Sequence, residues 1–74
     1  MVVIQNIIEE IQEEIDYFTN YQTLLQKWIV RKKHENNKVF FKLMEEYKTI
    51  IIHIEFLEEK KREYEKLIFK IMKL

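Results

Sequence analysis

The sequence predicts an all-α fold, an antiparallel two-helix hairpin of long helices that self-associates into a four-helix bundle. Three observations predict it. Apolar residues recur at alternating steps of three and four through both halves of the chain, the period of a helix with one buried face. The six residues Lys33 to Lys38 are all polar and interrupt that repeat near its middle. The chain has 74 residues and no Cys, so no disulfide reinforces a core that at this size supplies only about 3–5 kcal/mol. Residues 1–74 are read as one domain, completed by oligomerisation or by docking on a partner.

Helix 1 is expected over about residues 2–33. Ile8, Ile15, Gln22 and Ile29 take heptad position a, and Ile4, Ile11, Phe18 and Leu25 take d. Ile7, Tyr21 and Trp28 fall at g and widen the stripe, which suits a helix with two neighbours. Glu9, Glu10, Glu13, Glu14 and Asp16 occupy the N-terminal half, and Lys27, Arg31, Lys32 and Lys33 the C-terminal end. That distribution follows the sense of the helix macrodipole.

The turn is expected over about residues 34–37. Gly and Pro are both absent, so Asn36-Asn37 is the best breaker in the chain. Asn tolerates the left-handed conformation that ends a helix, and its side chain caps the first amides of the next. The alternative is one unbroken helix.

Helix 2 is expected over about residues 37–73. Phe40, Tyr47, Ile54, Lys61 and Ile68 take a; Leu43, Ile50, Leu57, Tyr64 and Ile71 take d. The β-branched run Thr49 to Ile54 is locally strand-like, yet the three-four repeat continues through it and predicts helix. Glu58 to Glu63 is wholly charged, and Glu58–Arg62, Glu59–Arg62 and Glu63–Lys66 have the spacing of ion pairs on a solvated helical turn.

The two stripes match when the helices run antiparallel. Pairs such as Ile29–Leu43, Phe18–Ile54, Ile15–Leu57 and Ile4–Ile68 are all centred on residue 36, the expected turn. The same register brings Glu13 and Glu14 level with Lys60 and Lys61, and Glu9 and Glu10 level with Lys66 and Arg62. Two polar residues, Gln22 and Lys61, interrupt the seam. Lys61 is expected to snorkel from its edge, and both are candidates for fixing register or oligomer state.

A surplus of large apolar residues remains outside the seam: Tyr17, Leu24, Phe41, Ile52, Phe56 and Phe69. A contiguous cluster of this kind marks an interface. These residues are the expected contact between hairpins.

Composition excludes much chemistry. With no Cys and no Ser the usual nucleophiles are missing, and no Gly-rich phosphate loop exists. Neither His34 nor His53 is preceded by Glu at the spacing of a di-iron bundle. Glu9/Glu13 and Glu10/Glu14 have cation-holding spacing but read as a solvated face. No catalytic, metal or cofactor site is expected, and the chain is not expected to be an enzyme. No stretch approaches the roughly 18 apolar residues of a membrane span, and no secretory signal opens the chain, which predicts a cytoplasmic protein.

One site-like feature stands at the turn. Lys27, Arg31, Lys32, Lys33 and Lys38 gather around Trp28, a local charge of +4 in a chain of net charge zero. Such a cluster can grip phosphate while Trp28 stacks on a base. The macrodipole of helix 1 also accounts for most of it.

The leading functional expectation is a non-enzymatic interaction, adaptor or regulatory protein acting as a homodimer or higher homo-oligomer. In shape such a dimer resembles the ROP-type RNA-binding regulators, without a shared motif. The alternatives are a nucleic-acid-binding regulator using the basic turn end, and a small subunit or chaperone-like component of a larger assembly with another protein.

Overall fold

The computed structural model describes residues 2–33 and 37–73, with the backbone alone at Asn37. Two α-helices make up the described chain, α1 over Val2–Lys32 and α2 over Asn37–Lys73. They pack against each other along their length. End to end they would reach about 100 Å at 1.5 Å per residue. The molecule measures 59 × 14 × 13 Å, so the chain folds back on itself. Most of the expected turn, residues 34–36, lies outside the described residues, and with it the left-handed helix end expected at Asn36. None of the described residues has positive φ.

The seam follows the heptads. Every a and d position from Ile4 to Ile29 and from Phe40 to Ile68 is buried or half-buried. Ile11, Ile15, Ile54 and Leu57 form the centre of the core, with Ile7, Phe18, Ile50 and Tyr64 packed around it. Leu25 is buried nearer the turn. Ile71 stays 38% exposed, because it stands in the last turn of α2 where α1 offers only its first residues. The β-branched run is helical throughout. Thr49 Oγ1 donates to the Glu45 carbonyl at 3.0 Å one turn back, and the seam holds Ile50 and Ile54 inward. Tertiary packing here overrides local strand preference.

Polar side chains pin the register. Lys61 Nζ donates to Gln12 Oε1 across the helices at 2.5 Å and lies 3.6 Å from Glu65 on its own helix. Gln12 in turn donates to Asp16 Oδ1 at 2.9 Å. Lys61 thus lays its stem along the seam and keeps its ammonium at the rim. Nearer the turn, Gln26 Nε2 donates to Tyr47 Oη at 2.7 Å and Gln22 Nε2 to the same oxygen at 3.4 Å. Sliding α2 by one heptad would break the three cross-helix contacts, Lys61–Gln12, Gln26–Tyr47 and Gln22–Tyr47, together.

Gln22 has the weaker geometry of the two glutamines, and Tyr47 keeps Gln26 without it. Gln22→Ile is therefore expected to stabilise the fold by about 1 kcal/mol, by adding apolar area to the seam without orphaning a hydroxyl. A thermal melt followed by circular dichroism checks this, and a lower melting temperature than the parent rejects it.

The charges behave differently from expectation. Among the described residues, Glu9, Glu10, Glu13 and Glu14 make no ion pair within 4 Å with Lys60, Arg62 or Lys66, and the expected Glu58–Arg62, Glu59–Arg62 and Glu63–Lys66 pairs do not close. Exposed pairs gain little Coulomb energy in water and must immobilise two long side chains, so level placement does not by itself close them. The macrodipole accounts for only half of the pattern. Arg31 and Lys32 sit in the last turn of α1, but its first turn holds no acid. The glutamates begin at Glu9, two turns in, beyond the reach of the helix end.

Candidate functional site

The heptad geometry that turns a and d inward leaves c and g on one broad outer face of α1. On this face Tyr17, Tyr21, Leu24 and Trp28 again follow each other at steps of four, three and four. Tyr17 is 67% exposed and Trp28 48% exposed, with Leu24 also exposed between them. Tyr21 is half-buried. On α2, Ile52 and Phe56 are exposed at the corresponding height above the turn.

Aromatic rings connect this face to the seam. The Tyr17 ring meets Phe18 edge-on at 5.2 Å, and Phe18 meets His53 edge-on at 4.6 Å. His53 is half-buried against this ring at the boundary of the core. A shallow groove between the helices is lined here by Glu10, Glu13, Glu14, Tyr17, Phe18 and His53. Lys60 Nζ lies 5.3 Å from the Phe56 ring centroid, a cation–π contact on α2.

The six apolar residues expected at an interface are all exposed, but they do not form one patch. Tyr17, Leu24, Ile52 and Phe56 share the middle of the molecule. Phe41 lies near the turn, its ring 5.6 Å from Phe40, and Phe69 near the open end beneath Lys73 Nζ at 4.6 Å. Around the turn, Lys27, Arg31, Lys33 and Lys38 are exposed and Lys32 is half-buried. Lys27, Trp28 and Arg31 lie on one side of α1 within a single turn.

Tyr21 ties this face to α2. Its hydroxyl donates to the Glu46 carboxylate across the helices. That hydrogen bond, then partial desolvation, then the Glu46 and Tyr17 charges raise the Tyr21 phenol above its ordinary value of 10.0. The folded state therefore favours the protonated phenol. The stabilisation is fully present below the unfolded pKa and is lost as pH rises through the higher folded value. Stability should fall on going above pH 10, and Tyr21→Phe should flatten that limb of the curve. Urea midpoints measured across the alkaline range test this. An unchanged alkaline limb in the variant would reject the coupling.

Tyr21, Gln12 and Gln26 were not singled out by the sequence as cross-helix hydrogen-bonding residues. All three stand at e or g, beside the seam. The available signal was the e column of α1, which reads Gln5, Gln12, Thr19, Gln26: polar, uncharged and evenly spaced.

Among the described residues, no three or more His, Asp or Glu side chains gather closely enough to hold a metal ion, and no helix is long and apolar enough to cross a membrane. His34 lies outside the described residues. Comparison with protein-family models, with curated proteins and with solved structures finds no match for this chain.

Proposed function

We propose that this chain is a non-enzymatic interaction protein, an adaptor or regulator whose working form is a homo-oligomeric four-helix bundle. The observation that carries the reading is the imbalance between what the hairpin hides and what it shows. Among the described residues only Ile11, Ile15, Leu25, Ile54 and Leu57 are buried, and none is fully enclosed. Fourteen large apolar side chains among the described residues are exposed. The accessible surface is 6237 Å², about 1,200 Å² more than the roughly 5,000 Å² of a compact 9.4 kDa monomer. That excess exceeds the about 800 Å² each partner contributes to an ordinary stable interface. A second hairpin laid on the first would remove it. Sedimentation equilibrium at micromolar concentration tests the reading. A mass of two chains or more supports it, and a monodisperse single chain rejects it.

The half-exposed Trp28 among exposed bases favours a second reading, a nucleic-acid-binding regulator that works through the turn end. Phosphate contacts make affinity fall steeply with salt. Binding to bulk RNA or DNA with that salt dependence, abolished in Lys32→Glu/Lys33→Glu, supports this second reading. Absence of binding at low salt rejects it.

A further inference from the structure

We infer that the outer stripe of α1 is its own antiparallel partner, so that two copies meet α1 on α1 about a twofold axis at Tyr21, with their turns at opposite ends. This rests on the self-association proposed above and specifies its geometry. The stripe at c and g reads Glu10, Glu14, Tyr17, Tyr21, Leu24, Trp28, Arg31. Its steps are nearly symmetric about Tyr21. Reversing a second copy at that point sets Tyr17 against the partner's Leu24 and Glu10 against the partner's Arg31. Glu14 meets the partner's Trp28, with Lys27 in the adjacent position. Each pairing occurs twice, as an isologous interface requires.

Exposure and charge agree with this arrangement. Glu10, Glu14, Tyr17, Leu24, Trp28 and Arg31 are all exposed in the single hairpin. The acids begin too far into α1 to serve its dipole, and among the described residues they find no ion-pair partner on α2. Antiparallel stacking gives them the bases of the second copy. The opposite arrangement, with both turns at one end, sets Arg31 of one copy beside Lys42 of the other, where like charges repel, and only Lys27 there comes level with an acid, Glu45. On α2 the same axis brings Thr49 to the partner's His53 but leaves Lys42 facing the partner's Lys60. The register is therefore set by α1.

The chain contains no Cys, so single cysteines report the contact directly in the full-length protein. Tyr21→Cys is expected to oxidise to a covalent dimer, since that position meets itself at the axis. Tyr17→Cys and Leu24→Cys are expected to cross-link to each other when mixed, and much less to themselves. Lys38→Cys at the turn end should not self-cross-link. Glu10→Arg and Arg31→Glu should each weaken dimerisation by about tenfold, with the double variant returning close to the parent. A parent dimer whose Lys38→Cys variant cross-links readily while Tyr21→Cys does not overturns this geometry and leaves self-association standing. So does a double variant no tighter than the singles. A parent that sediments as a single chain removes both.

Discussion

Leu57→Ala is expected to abolish the cooperative thermal transition, whereas Phe56→Ala, one residue away, leaves the hairpin seam intact. Leu57 is 5% exposed and belongs to the four-residue centre of the core. Truncating a buried Leu costs about 2–5 kcal/mol, a lost transfer term plus a cavity that the neighbours only partly fill. The expected stability of a core this size is about 3–5 kcal/mol, so one substitution is comparable with the whole. Phe56 is the larger side chain but is 52% exposed. In an isolated hairpin its loss should cost little beyond the Lys60 contact. Ellipticity at 222 nm against temperature reads both variants. A Leu57→Ala variant that melts like the parent would show that the seam between α1 and α2 is not what holds the helices together.

That contrast marks how far the sequence could be read. The a and d positions were legible because burial in a hairpin follows a period, and a period survives without knowledge of neighbours. Ile15 and Leu57 are buried because the three-four repeat puts them on the inner face, and Tyr17 and Phe56 are exposed because it does not. The register was legible because both stripes share a centre near residue 36, and the Phe18–His53 and Lys61–Gln12 contacts fall close to it. Side-chain partners beside the seam were not legible. Tyr21 reaches Glu46 and Gln26 reaches Tyr47 through particular rotamers, which spacing does not fix. Nor did spacing decide the charges: Glu13 and Lys60 are level, yet their ends remain solvated and apart. The outer face was legible as a surplus. Its symmetry about Tyr21 gains meaning because, among the described residues, Glu10 and Glu14 have no ion-pair partner on α2.

The double substitution Tyr17→Lys/Leu24→Lys is expected to convert the assembly to single chains and, by doing so, to destabilise the hairpin itself. At an exposed site on a monomer, such changes stay within about 0.5 kcal/mol. Both side chains are well exposed in the lone hairpin, so a monomeric protein should tolerate the variant with its melting curve unchanged. In the proposed dimer the same positions are desolvated, and four lysines then enter one interface with no acid opposite them. Dissociation also withdraws the stabilisation that association confers on the folded state, which grows with protein concentration. The parent should therefore melt at a higher temperature when concentrated tenfold, and the variant should melt lower and independently of concentration. Equal melting temperatures for the two proteins, with no concentration dependence in either, would mean that the exposed face of α1 meets only water.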